Sequence, residues 1–352
     1  MQLFANKAKA VLLVGTLIGA MASSVAHAEL KLNGSGASFP APLYSKWFKD
    51  YSKQTDGVRV DYQSKGSGAG IRDFINETVD FAASDAAMKD KEIVKVKKGV
   101  ILLPMTAGEV VLSYNLPGVE TLKLPRDVYP AIFMGKITQW NDPKIAAANP
   151  DVKLPDQKIT VVVRSDSSGT SYVYTNHLSA ISPAFKNTVG VGKSPAWPSA
   201  GTFVKAPKND GVTATIKQTP GAIGYIEYGF AKLTKSPTAQ LQNQAGNYMI
   251  AGGETGAAAL ATTKFPAGYL PGGEVPDLRA WATDPSGADA YPIASFTWLL
   301  VYKNQGAEKA KAIQNLIEYM VTEGQKSSEA MGYIPLPKNV IAKVRATAKM
   351  IK

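Results

Sequence analysis

The sequence predicts an α/β protein built from two domains, and three observations carry that prediction. Short β-type runs alternate with amphipathic helical stretches along nearly the whole chain, the pattern of layered α/β folds. With the first 28 of its 352 residues set aside as an export leader, the remainder is still longer than one hydrophobic core usually organises. Three separate segments also repeat one design: a short strand, a Gly/Ser-rich turn and the start of a helix.

The leader comes first. Lys7 and Lys9 make a positive start, Ala10 to Met21 is apolar apart from Gly and one Thr, and Ala26-His27-Ala28 supplies a small-x-small cleavage pattern. Cleavage is expected before Glu29, leaving an exported, soluble protein. The apolar run is too short for a stable membrane span. The chain has no Cys, which excludes a lipid anchor on a new N-terminal Cys, and a chain of this size needs no disulfide staples.

The elements follow in order. Leu30 to Leu32 and Val58 to Gln63 read as strands, and between them Leu43, Tyr44, Trp47, Phe48 and Tyr51 fall at helical spacing. Phe81 to Ser84 and Val110 to Tyr114 are further strands. Ile159 to Val163 is entirely β-branched and reads as a buried strand. Gly246 to Gly287 is rich in Gly, Ala and Pro and predicts loops with one short helix. Ser295 to Tyr302 returns as a strand. Ile313, Leu316, Ile317, Met320 and Val321 then form one helical face, with Gly324 expected as its C-terminal cap. No internal repeat is present. A chain leaving one domain near 104 to 109 and returning near 288 to 294 makes that domain discontinuous.

The three repeated segments carry the chemistry. They are Leu32 to Pro40, Gly66 to Gly70 and Arg164 to Ser171. Each offers free backbone N–H groups, a hydroxyl at the expected N-cap and the positive end of a helix dipole. That combination holds oxyanions with few charged side chains. Any one of them by itself is more readily read as simple helix capping; three together, one with Arg164 at its strand end, favour an anion site.

Other classes fit poorly. Gly34-Ser35-Gly36 and Gly66-Ser67-Gly68-Ala69-Gly70 have Phe39 and Ile71 where a dinucleotide fingerprint needs its last glycine, and Asn187 stands where a nucleotide P-loop ending at Gly192-Lys193-Ser194 needs its first. The formal net charge is +11, but the lysines are scattered and no Arg-rich or stacked-aromatic stripe appears. Steering of a small anion explains this better than nucleic-acid binding. A hydrolase using Ser168 needs a base, and beyond the leader only His177 is available, read here as a surface or core residue. Metal catalysis needs several His or clustered carboxylates. No catalytic residue, metal or cofactor is expected.

The chain resembles the phosphate-binding proteins of bacterial phosphate ABC transporters. The matching stretches are Gly34 to Pro42, Tyr62-Gln63 with Gly66-Ser67, Val79 to Asp85, Arg164 to Thr170, Asn209-Asp210-Gly211 and Pro220 to Tyr228. The resemblance covers nearly the whole chain after the leader. It implies a two-lobed, type II periplasmic-binding-protein fold: two doubly wound α/β domains joined by a two-strand hinge. Lobe 1 would comprise 29–107 plus 290–352, and lobe 2 108–289. The implied phosphate shell is Ser38, Phe39 (through its N–H), Ser67, Asp85, Arg164, Ser168, Gly169 and Thr170, with Asp166 orienting Arg164. The implied setting is a monomer in the periplasm that delivers inorganic phosphate to membrane permease subunits. Two departures stand out. Ser38 replaces a frequent Thr and keeps the hydroxyl, and Ser64-Lys65 brings a cation near the cleft mouth.

Chemistry explains a carboxylate in such a shell. At neutral pH phosphate keeps at least one proton and sulfate keeps none, while an ionised Asp only accepts. Asp85 can therefore pair a phosphate O–H but repels sulfate. A site built to pair a ligand hydroxyl rejects its absence by roughly 10⁴-fold or more. Arg164 supplies the bidentate donors that suit an oxyanion. The rival readings are a carrier of another oxyanion, such as sulfate, molybdate or a phosphonate, and a surface-assembly role for a basic exported protein.

Overall fold

The computed structural model describes residues 29–199 and 202–352; the expected leader and its cleavage motif lie outside them. The first third contains β1 (Leu30–Gly36), α1 (Ala41–Gln54), β2 (Val58–Ser64), α2 (Ser67–Ile75), β3 (Phe81–Ser84), α3 (Asp90–Ile93) and β4 (Val100–Tyr114). Next come β5 (Lys123–Leu124), α4 (Val128–Phe133), α5 (Pro143–Ala148), β6 (Thr160–Arg164), α6 (Gly169–Ile181), α7 (Pro183–Thr188), β7 (Phe203–Ala206), α8 (Lys208–Gln218), β8 (Ala222–Glu227) and α9 (Tyr228–Thr234). The chain ends with β9 (Gln240–Gln242), β10 (Tyr248–Met249), α10 (Gly253–Ala261), β11 (Ala294–Tyr302), α11 (Ala307–Val321) and α12 (Lys338–Ala348).

Eight strands form one sheet in the order β2-β1-β3-β11-β4-β8-β6-β7. Two parallel sets, β2-β1-β3 and β8-β6-β7, flank a central antiparallel pair. The pair is β11 and β4, and β4 changes partner along its length: Val100 to Glu109 pair with β11, Val110 to Tyr114 with β8. One strand thus joins both halves of the sheet. It can do so because all fifteen of its residues are buried, which requires cover on both faces.

The strand expected at Val110 to Tyr114 is therefore the end of a much longer one. Pro104 hides its beginning from a strand reading, because Pro lacks the N–H a ladder needs. A bulge accommodates it: Thr297 and Trp298 of β11 stand opposite Thr106 and Pro104, so Met105 is left over. A second expectation is corrected at Gly324. Helix α11 stops at Val321, and Gly324 opens a 3-10 turn instead of capping it. Trp47 packs tightly there, its ring 3.1 Å from where a Cβ would sit and its Nε1 donating to the Gly324 carbonyl at 2.7 Å.

The helical face read between the first two strands is buried as a set: Leu43, Tyr44, Trp47, Phe48 and Tyr51. The Gly246–Gly287 stretch contains the one helix expected of it, α10, besides a short strand β10. Among the described residues no helix is long and apolar enough to cross a membrane.

Candidate functional site

The starts of α1, α2, α6 and α8 converge with the loop after β3 on one buried cluster. From the first half of the sheet come Ser38, Ser67 and Asp85, each no more than 1% exposed. The expected hydroxyl caps are absent from two of the three helices. Pro40 and Gly66 take the cap positions of α1 and α2, and Gly66 does so at φ 93°, in the region that favours glycine. The hydroxyls of Ser38 and Ser67 are thereby released to face inward. Ser67 Oγ accepts the Asp85 N–H at 3.2 Å and lies 3.4 Å from Asp85 Oδ2. Only α6 is capped as expected, with Ser168 Oγ accepting the Ser171 N–H at 3.0 Å.

The second half supplies Arg164, at the end of β6. Its Nε and Nη2 grip both oxygens of Asp166 at 2.8 and 2.6 Å, and its Nη1 donates to Thr170 Oγ1 at 3.2 Å. Burial works to raise the Asp166 carboxyl, but Arg164 outweighs it and holds the group below its ordinary range. Asp166 also accepts the Lys208 N–H at 2.9 Å, tying α8 to the same turn. At the first turn of α6 the N–H groups of Gly169 and Thr170 have no intrahelical acceptor.

Phe39 contributes differently: its ring is fully buried, and its carbonyl accepts from Tyr333 Oη at 2.8 Å. The two halves touch directly. The Gly68 N–H donates to the Ser167 carbonyl at 2.9 Å. Gly169 lies so close to Ser67 Oγ and Asp85 Oδ2 that a Cβ there would overlap both.

Asp85 is the electrostatic pivot. Thr297 Oγ1, from β11, donates to its Oδ1 at 2.8 Å. Burial pushes its carboxyl up to about 7, opposed by the Thr297 bond, the Arg164 charge and the Ser67 bond. An acceptor that still takes a proton near neutrality thus sits among a guanidinium, several hydroxyls and free N–H groups, out of water. This set can wrap an oxyanion and meet one protonated oxygen.

Three participants were not singled out from the sequence. Asn209 bridges Ser38 and Thr170, donating from Nδ2 to their hydroxyl oxygens at 3.0 and 3.1 Å. Its position within Asn209-Asp210-Gly211, a matching stretch, was the available signal. Tyr225 Oη accepts the Arg164 N–H at 3.1 Å and pairs with Ser171 Oγ at 2.6 Å. Thr297 and Ser295 are the two aliphatic hydroxyls of β11, which is the signal Thr297 offered. Lys65 does not point a free charge at the cluster: Asp73 holds its Nζ at 3.1 Å and also accepts from Ser35 Oγ at 2.8 Å. His177 is a core residue, 1% exposed, with Nε2 against Tyr129 Oη at 2.8 Å and Nδ1 against the Thr283 carbonyl at 3.0 Å; burial lowers its pKa to about 4.

A two-lobed α/β fold with helix starts and a paired Arg and Asp facing one another across its middle is the arrangement of a solute-binding protein. The model of the PBP superfamily domain matches residues 22–323. A protein of Pasteurella multocida named phosphate-binding protein PstS is 38% identical over 321 residues, covering 90% of each chain. One of the same name from Methanocaldococcus jannaschii is 39% identical over 334 residues, covering 90% of this chain and 85% of the other. The chain belongs to the PBP superfamily and, within it, to the family of the PstS phosphate-binding proteins. Among solved structures, that of a high affinity periplasmic phosphate-binding protein bound with phosphate superposes with a TM-score of 0.75 at 23% identity, covering 90% of this chain and 93% of that one.

Proposed function

We propose that this protein binds inorganic phosphate in the cleft between its lobes and delivers it to the permease subunits of a phosphate ABC transporter. The observation that carries the reading is the pairing of Arg164 and the open α6 start with a desolvated Asp85 across the cleft. Phosphate supplies both negative oxygens for the first and an O–H for the second. The shell is Ser38, Phe39 N–H, Ser67, Asp85, Arg164, Ser168, Gly169 and Thr170, with Asp166 fixing the guanidinium. The proposed lobes are 29–107 plus 290–352 and 108–289, and β4 with the entry to β11 is their hinge. Phosphate contacts from both lobes favour the closed state that the permease reads.

The protein works as a carrier and not as an enzyme, as a monomer in the periplasm, after cleavage before Glu29. The engagement of both His177 nitrogens by Tyr129 and Thr283 supports this, since it leaves Ser168 without that base. The test is calorimetric titration of phosphate-stripped protein with phosphate and sulfate at one ionic strength. Tight one-to-one phosphate binding with no sulfate heat is expected. Equal binding of both anions would make it a general oxyanion carrier, and binding of neither would overturn the proposal.

A further inference from the structure

Lys193 and Glu92 meet across the cleft, outside the shell. Lys193 is tied to the turn that carries part of the shell, and Glu92 lies on the helix that follows the Asp85 loop. The Lys193 carbonyl accepts the Ser168 N–H at 2.8 Å, fixing the residue that caps α6. Glu92 stands in α3, which follows the Asp85 loop, and its Oε2 accepts the Lys89 N–H at 2.8 Å to close the first turn of that helix. The remaining oxygen, Oε1, accepts Lys193 Nζ at 3.1 Å, with the two side chains only 20% and 18% exposed. Neither side chain belongs to the proposed shell. Lys193 is tied to backbone that does.

We infer that Glu92 and Lys193 form a latch between the lobes that sets how long bound phosphate stays, an inference that rests on the phosphate reading above. The ion pair joins groups on opposite sides of the cleft, so it exists in the closed state and is lost on opening. It therefore biases the closing equilibrium without discriminating among anions. Half-shielded from water, the pair is screened less than a fully exposed one. Breaking it acts on the release rate, whereas association, governed by the open form and overall charge, changes little.

The test uses the full-length mature protein, labelled phosphate and a chase with unlabelled phosphate. Lys193→Met removes the charge, and Glu92→Gln removes it while keeping an oxygen for the Lys89 N–H. Each variant is expected to release phosphate about threefold to tenfold faster at low salt, with association nearly unchanged. The double variant should be no faster than either single one. Wild-type release should quicken with ionic strength more steeply than release from Lys193→Met, which keeps the Arg279–Asp90 pair. Wild-type release rates in either variant, or strictly additive effects in the double, would remove the latch while leaving phosphate binding intact. Failure of the wild type to bind phosphate would remove the functional reading itself.

Discussion

Asn209 donates twice to one atom: its backbone N–H and its Nδ2 both reach Ser38 Oγ, at 3.1 and 3.0 Å, across 171 residues of sequence. Its Oδ1 meanwhile accepts the Glu227 N–H at 3.0 Å, so the amide is locked in one orientation. With both lone pairs of the Ser38 oxygen occupied, the hydroxyl proton must point elsewhere, toward the cleft. Asn209→Ala should weaken phosphate binding by about tenfold or more, the size of one or two charge-assisted hydrogen bonds. Titration calorimetry checks this, and an unchanged affinity would show that Ser38 needs no such partner.

For Asp85, selectivity should follow protonation. Above about 7 the carboxyl is ionised and repels an anion that has no proton; below it, the protonated group can donate instead. Sulfate competition against phosphate should therefore strengthen as pH falls from 8 to 5.5. Asp85→Asn should show relaxed discrimination at every pH and lose that trend, while retaining part of its phosphate affinity. Competition titrations at several pH values decide it; identical selectivity in the variant would end the proposed role.

Gly169 tests closure by space alone. A methyl group there would overlap Ser67 Oγ and Asp85 Oδ2, and the three atoms nearest to it all belong to the other half. Gly169→Ala sits in the first turn of a helix, where Ala is tolerated. The variant should fold with a near-normal melting temperature but bind phosphate at least a hundredfold more weakly, because its lobes cannot shut. Small-angle scattering with saturating phosphate should show the wild type contracting and the variant staying extended.

Glu109 makes a prediction about stability. It lies on β4 beside the point where that strand changes partner, and is 1% exposed. Burial raises its carboxyl from 4.5 to about 8, against the opposing bonds from Thr255 and Gly252. Between those values the folded chain keeps a proton that the unfolded chain has released. The contribution to stability therefore falls as pH rises through that window, by on the order of a few kcal/mol in all. Glu109→Gln should remove this component, so that wild type loses more stability than the variant between pH 5 and pH 8. Urea unfolding at both values measures it, and parallel slopes would refute it.

Much of this was legible in the chain itself. The run at Ile159 to Val163 is legible from its β-branched residue types, and the Leu43-to-Tyr51 face from helical periodicity, which records locally the need to bury one side. The turns at Gly66 and at Arg164 to Thr170 were visible as anion chemistry because free N–H groups and hydroxyls there depend on near neighbours only. Less could be seen at Pro104, where a local rule against strands was overridden by a bulge in β4 opposite β11. Gly324 misled for the same reason, its surroundings being set by Trp47, 277 residues away.

By itself, then, the sequence determined the α/β alternation, the anion-seeking turns and the presence of one Arg and one Asp suited to an oxyanion with a proton. Only the tertiary structure decided that Ser38 and Ser67 turn inward instead of capping, that Asn209 and Thr297 hold the partners of the cluster, and that Lys65 is spent on Asp73 while Lys193 reaches Glu92. The reason is physical. Helix and turn preferences act over a few residues, whereas the direction of a hydroxyl and the pKa of a carboxyl are set by whichever distant groups the fold brings within about 3 Å and by the water it removes.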